Sequence, residues 1–191
     1  MTRFTIFGTG NMGQAIANLV AVGGADVAHV GSDDKTAVIG GDVVVLAVPF
    51  PALQDIVATY GDQLADKVVV DITNPLDLST FDSLTVPTGS SAAAELAAAL
   101  PEAKVLKAFN TNFAGTLAAK TVGPVTTTVL IAGDDAEAKA TLAAAISAGG
   151  VDAIDVGSLR RAHELEAIGF LQLTLAAGEK ISWTGGLALV R

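Results

Sequence analysis

The sequence predicts a doubly wound α/β fold, a mostly parallel sheet with helices on both faces, and three observations predict it. Short apolar runs alternate with helical stretches along the chain, and most of the runs close on Gly, Pro or Asn. The first run closes on Gly8-Thr9-Gly10-Asn11-Met12-Gly13, which leads into a periodic apolar stretch. Strands that join through crossover helices are buried on both faces and therefore read as unbroken apolar runs, as Val43–Val48 does here.

Phe4, Ile6 and Phe7 form the first strand, and Met12, Ile16, Leu19 and Val20 mark the apolar face of the first helix. Between them lies a G-x-G-x-x-G pattern in the strand-turn-helix context that gives it meaning. Gly8 lets the chain turn off the strand, Gly10 without a Cβ lets a pyrophosphate approach the backbone, and Gly13 lets the helix pack close. The unpaired N–H groups and positive dipole end of the helix then stabilise an anion without Lys or Arg. The stretch reads as the phosphate-binding turn of a Rossmann-like, NAD(P)-binding domain.

Gly23-Gly24 ends the first helix, and Asp26–Val30 is a second strand closing at Gly31-Ser32. Asp33 to Asp42 leaves room for about two helical turns, so the first half of the fold is shortened. Val43–Val48 is the third strand, ending at Pro49, and a helix over Ala52–Leu64 follows. Lys67–Ile72 is the fourth strand, stopped by Thr73-Asn74-Pro75; Leu76–Gly89 is a loop. Ser90 or Ser91 caps a helix over Ala92–Leu100. Lys104–Phe109 is the fifth strand, followed by Asn110-Thr111-Asn112-Phe113 and a short helix near Ala114–Lys120. Thr126–Ala132 and Val151–Val156 are the sixth and seventh strands, the last an edge candidate, around a helix over Asp135–Ala148 capped by Asp134. Gly157-Ser158 opens a last helix from Leu159 to about Ala177 with an apolar stripe of Leu165, Ile168, Leu171 and Leu175. Residues 1–157 thus read as the dinucleotide-binding domain, and residues 158–191 as a helix and tail attached to it that supply a dimer contact and, as the resemblance described below implies, complete a second-substrate pocket.

Composition narrows the function. Of the 191 residues, 51% are hydrophobic, yet no apolar run reaches the ~18 residues of a membrane span. Asn11, Gln14 and Asn18 interrupt any signal-peptide core, so a cytoplasmic protein is expected, with no membrane partner. A net charge of −9 argues against nucleic acid. The absence of cysteine removes thiolate nucleophiles and Cys-ligated metals, and His29 and His163 lack ligand spacing, so no metal site is expected.

In doubly wound sheets ligands bind beyond the carboxyl ends of the strands. The turn after the second strand offers Gly31-Ser32 where NAD sites usually place Asp or Glu. Ser32 with Lys35 suits the 2′-phosphate of NADP, while Asp33 and Asp34 leave NAD open. No His, Tyr or Lys stands at a loop tip near the nicotinamide end. Carbonyl or imine reduction needs such a proton donor, whereas hydride transfer between two stacked rings does not, so no catalytic side chain is assigned. Lys107 is the main counter-candidate for a proton donor, but it lies within a strand and is read as capping the sheet's flank or pairing with Asp71. Arg160, Arg161 and His163 read as a solvated helix face, although they could also reach an acidic acceptor.

The run Phe7–Ile16, the Val48-Pro49 pair, Val69–Pro75 and Lys107–Thr111 resemble the deazaflavin-dependent NADP oxidoreductase family, in order and spacing over nearly the whole chain. Lys107–Thr111, Gly157-Ser158-Leu159 and Glu164–Ile168 are also similar to the NADPH-binding domain of the STEAP metalloreductases. The resemblance implies hydride transfer between NADP and coenzyme F-420, or a flavin, while the apolar stripe of the last helix suggests a homodimer. It implies that Thr9, Asn11 and Met12 lie along the pyrophosphate and Ser32 meets the 2′-phosphate. Val48 and Pro49 would pack on the cofactor, Asn74 and Asn110 would lie near the nicotinamide, and Trp183 would wall the second-substrate pocket, with a core or dimer-interface aromatic as the equal alternative for Trp183. Asp33 departs from the family's usual arginine. Asn110 stands where some members have histidine. Two alternatives stay open. One is a small carbonyl or imine reductase, as Gly8–Gly13 resembles pyrroline-5-carboxylate reductase, whose further helical domain 191 residues would not hold. The other is a nucleotide-responsive binding module without turnover.

Overall fold

The computed structural model describes residues 1–190. The first half alternates β1 (Arg3–Phe7), α1 (Asn11–Val22), β2 (Asp26–Val30), β3 (Val43–Leu46), α2 (Leu53–Leu64), β4 (Val68–Asp71), α3 (Ala92–Ala99) and β5 (Lys104–Lys107). Beyond it come α4 (Ala114–Ala119), a hairpin of β6 (Thr121–Val122) and β7 (Val125–Thr126), β8 (Thr128–Gly133), α5 (Ala136–Ala148), β9 (Asp152–Gly157) and α6 (Ala162–Ala177). The main sheet has seven strands in the order β2-β1-β3-β4-β5-β8-β9. The order reverses at β1, because β2 lies on one side of it and β3 on the other, and this is the switch point at which such sheets bind ligands.

Central β3 is buried at all four residues, as an apolar strand covered on both faces must be. Phe4, Ile6, Ile16, Leu19 and Val45 pack with Leu142 and Ile146 beneath one face. Phe7, Val44, Leu46, Tyr60, Leu64 and Leu96 pack on the other. Ser91, not Ser90, caps α3, its Oγ accepting from Ala94 N at 3.0 Å.

Several sequence expectations are corrected. The segment from Asp33 to Asp42 forms no helix. Asp34 Oδ1 accepts from Thr36 N at 2.9 Å in a local turn that competes with helix. The segment is instead pinned to its neighbours through Ile39 N to Gln63 Oε1 and Gly41 N to Thr5 Oγ1. The cap of α5 is Asp135, accepting from Ala138 N at 2.7 Å; Asp134 instead accepts from Leu159 N. β3, β4 and β5 each stop short of the expected end. β8 runs antiparallel to β5, and β9 is parallel to β8 at the sheet edge. The reason lies in α4: six residues span only ~9 Å, too little to carry the chain back to the start of β5, so β8 begins near the carboxyl edge and runs down.

The stripe expected on α6 also differs. Leu165 is buried, but Leu171 is 54% exposed, and the inward face carries Ala162, Glu166, Gly169, Gln172 and Ala176. Two polar side chains thus face the interior, each with partners there.

Candidate functional site

The three glycines of the first turn are separated by geometry. Gly8 has φ +102°, and a Cβ there would collide with the Ala47 carbonyl. A Cβ on Gly13 would stand 2.5 Å from Gly8 O, so glycine lets α1 close onto the turn. At Gly10 a Cβ would meet nothing within 4 Å, leaving open space before the helix. Gly10 is the N-cap of α1, no side chain caps it, and the first turn holds no acidic residue. The uncapped N–H groups therefore face outward, the arrangement that receives a phosphate. Thr9, Gly10 and Asn11 are exposed and Met12 is half-buried. Val48 lies beside Gly8, and Pro49, exposed, begins the 3-10 turn Phe50–Ala52.

β2 delivers its turn next to the glycine loop, since Gly8 N donates to Val30 O at 3.0 Å. Ser32 and Lys35 are exposed on that turn, away from the carboxyl-edge cleft described below. The Ser32 hydroxyl donates to Asp33 Oδ1 at 3.3 Å, and Lys35 has no ion pair among the described residues.

On the other side of the glycine loop lies a cleft of about 410 Å3. It brings together Asn11 and Met12 from α1, Asn74 after β4, Asn110 and Asn112 after β5, and Trp183 of the tail. The two predicted asparagines hold each other. Asn74 Nδ2 donates to Asn110 O at 2.9 Å, and Asn110 Nδ2 donates to Asn74 Oδ1 at 2.9 Å and to Leu165 O at 2.8 Å. Because these partners are all acceptors, the amide orientation of Asn110 is set by the network. Its Oδ1 is left buried without a partner, and so are Asn112 Oδ1 and Thr73 Oγ1. Orphaned buried acceptors are uncommon in folded proteins, and the three found among the described residues all sit on the loops after β4 and β5.

Phe109, fully buried just before Asn110, has φ +62°, a left-handed conformation costing a bulky residue about 1–3 kcal/mol. Trp183 stacks obliquely on Phe113, with ring centroids 5.0 Å apart, and remains 55% exposed at the cleft mouth. None of the lining residues is titratable. A second groove of about 310 Å3, between α2 and α3, contains none of the glycine-loop or asparagine residues.

Lys107 is fully buried and saturates its three N–H donors. They go to Asp71 Oδ2 at 2.8 Å, Glu166 Oε1 at 2.7 Å and Thr73 O at 2.6 Å. The expected pairing with Asp71 is present; Glu166, which sequence reasoning did not single out, joins it. Glu166 Oε2 also accepts from Ala92 N at 2.9 Å, at the N-terminus of α3, where the helix dipole favours an anion. Burial pushes the Glu166 carboxyl above its ordinary value, against the pull of the Lys107 ammonium.

Arg161, just before α6, pairs with Glu164 at 2.8 Å on the exposed side, whereas His163, expected on a solvated face, is part-buried with its Nδ1 3.0 Å from Ser90 O. No group of three or more His, Asp or Glu among the described residues could hold a metal ion. Gly169 was missed, although a glycine inside an apolar helix signals close approach. A Cβ there would collide with Asn74 Oδ1 and stand 2.8 Å from Asn110 O, so only glycine lets α6 cross the asparagine pair.

A glycine turn that opens a helix at the switch point, beside a cleft lined by amides and aromatics, marks a Rossmann-type, dinucleotide-binding protein. Comparison with known proteins narrows the class. The family model described as NADP oxidoreductase, coenzyme F420-dependent, matches residues 24–75. The F420-dependent NADP reductase of Methanocaldococcus jannaschii is 32% identical over 166 residues, covering 85% of this chain and 74% of that protein. Metalloreductase STEAP3 of Rattus norvegicus is 37% identical over 136 residues, 70% of this chain and 26% of that protein. A crystal structure from Arthrobacter sp. FB24, described provisionally as an F420-dependent NADP-reductase, superposes over 100% of both chains with a TM-score of 0.86 at 23% identity, which shows the shared fold. The chain belongs to the F420-dependent NADP reductase family, whose members are NADP-dependent oxidoreductases.

Proposed function

We propose that the chain transfers hydride between the nicotinamide of NADP(H) and the ring of a deazaflavin such as coenzyme F-420. The observation that carries this reading is the chemistry of the carboxyl-edge cleft: aromatic, aliphatic and amide side chains with no titratable group among them. Carbonyl and imine reductions ask the protein for a proton donor beside the hydride. Exchange between two rings asks only for proximity and orientation, with solvent supplying the remaining proton. The one lysine beneath the cleft, Lys107, has all three donors committed and is shut off from the cavity.

In this reading Gly8, Thr9, Gly10, Asn11, Met12 and Gly13 hold the pyrophosphate at the uncapped end of α1, with Val48 and Pro49 packed against the dinucleotide. Ser32 and Lys35 meet the 2′-phosphate. Asn74 and Asn110 border the nicotinamide, and Trp183 walls the second ring's side. The names of the similar F420-dependent NADP reductases support a deazaflavin as the acceptor. The exposed Leu171 of α6 is taken as part of a homodimer contact in a cytoplasmic enzyme; no helix among the described residues is long and apolar enough to cross a membrane.

The test is an anaerobic mixture of the protein with NADPH and oxidised deazaflavin coenzyme, followed by visible absorbance, with NADH and with FMN or FAD in parallel. Bleaching is expected for NADPH with the deazaflavin and not with the flavins. A saturable NADPH titration without bleaching in any mixture would sink the ring-to-ring assignment and leave the dinucleotide site standing.

A further inference from the structure

The buried ion cluster and the asparagine pair are two layers of one construction. Asp71 stands three residues before Asn74, Lys107 three before Asn110, and Glu166 three before Gly169. The lower layer ties β4, β5 and α6 together through Lys107 Nζ, with Asp71 Oδ2 at 2.8 Å and Glu166 Oε1 at 2.7 Å. The upper layer joins the same three segments through Asn74, Asn110 and the Leu165 carbonyl. Between the layers on the β5 side sits Phe109, fully buried in a left-handed conformation. Such a conformation persists only where its surroundings over-determine it. Here Lys107 is anchored two residues before it and Asn110 one residue after it.

A pair of carboxylates and one ammonium at 0–1% side-chain exposure is a costly way to hold a helix in place. Well-packed apolar residues often stabilise as much or more. What the charges add is a directional geometry. They set the height and rotation of α6, so that Gly169 falls over the asparagine pair and the Leu165 carbonyl meets Asn110 Nδ2 at 2.8 Å. With both of its N–H groups taken, Asn110 is held in place at the cleft lining beside Asn74.

We propose that Lys107 and Glu166 are positioning residues for the coenzyme's nicotinamide end: they seat α6 on the Asn74–Asn110 pair, and that pair shapes the cleft wall against which the nicotinamide lies. This rests on the dinucleotide reading of the site and does not depend on which acceptor takes the hydride. The adenosine and pyrophosphate end of the site, on the glycine loop and the β2 turn, is built from other elements and is unaffected by the cluster.

The experiment compares the affinities of NADPH and of 2′-phospho-ADP-ribose, the same molecule without nicotinamide, in the wild type, Glu166→Gln and Gly169→Ala. Melting temperatures are recorded alongside. Glu166→Gln leaves the Lys107–Asp71 pair charge-balanced and removes the charged tie to α6. Gly169→Ala leaves the ion cluster intact and presses α6 off the asparagine pair, so it tests the same geometry by an independent route. The wild type is expected to bind NADPH at least tenfold more tightly than the fragment. Both variants are expected to lose most of that advantage, by about tenfold, while the fragment's own dissociation constant stays within about twofold. An NADPH advantage retained in both variants alongside lowered melting temperatures would make the cluster a scaffold only and overturn the proposal. A wild type with no advantage for NADPH would overturn it as well, with the dinucleotide site intact. A wild type that binds neither molecule would remove the site reading itself, and the proposal with it.

Discussion

Replacing Gly10 by valine separates the fold from the site more cleanly than any other single change. Gly10 has φ −74° and ψ −178°, extended backbone open to every residue, and a Cβ there meets nothing within 4 Å. A poorer N-cap costs about 1 kcal/mol, and the stiffer unfolded chain returns about 0.4–1 kcal/mol. The net change is within about 1 kcal/mol, a melting shift of about 2–4 °C at most for a chain of this size. Binding is another matter. The branched side chain occupies the space before the uncapped end of α1, and a phosphate excluded from it forfeits about two charge-assisted hydrogen bonds at about 1.5–3 kcal/mol each. At about 1.4 kcal/mol per decade, NADPH affinity should fall at least ~100-fold. Thermal unfolding and an NADPH fluorescence titration read both quantities. Gly8→Ala, at φ +102° and in collision with Ala47 O, and Gly13→Ala, 2.5 Å from Gly8 O, serve as contrasts that should melt well below the wild type. A Gly10→Val protein that binds NADPH like the wild type, or that melts with Gly8→Ala, would refute the division of labour among the three glycines.

Two further outcomes follow from the same structure. Replacing Ser32 and Lys35 together by alanine should weaken NADPH by about tenfold or more and leave NADH nearly unchanged; equal losses for both would remove the 2′-phosphate assignment. Because burial raises the Glu166 pKa in the folded state, the fold binds a proton there that the unfolded chain releases more readily. The stability of the wild type relative to Glu166→Gln should therefore be greatest near and below the ordinary carboxylate value of 4.5, and decline as pH rises through the raised folded value. Paired chemical denaturation curves across that range measure it, and a difference that grows with pH would reverse the assigned cause.

Local signals carried much of the fold. The glycine turn, the seven sheet strands and the helices of the first half are each announced by residues within a few positions of one another, because strand burial, capping and glycine turns are short-range effects. The reading failed where a partner distant in sequence decides the outcome. Asp33 to Asp42 has helical room by length alone, yet local turns and the bonds to Gln63 and Thr5 hold it irregular. The direction of β8 depends on how far a six-residue α4 can travel against the level of β5. On α6 the leucine periodicity pointed to an apolar inner face, and the partners waiting on the sheet and at Thr111 selected Glu166 and Gln172 instead.

The candidate site divides along the same line. Sequence by itself determined the class of fold, the glycine turn that opens α1 and the loops in which ligand-facing residues had to lie, since strand order in a doubly wound sheet places every such loop at one edge. Only the tertiary structure decided what those loops do to one another. It joined Asn74 to Asn110 across 36 positions of sequence, left the Asn110 carbonyl oxygen without a donor, and set Glu166 of the last helix on Lys107 beneath them. The physical reason is that a buried charge or amide is specified by the groups that satisfy it, and here these arrive from strands and helices far apart in the chain.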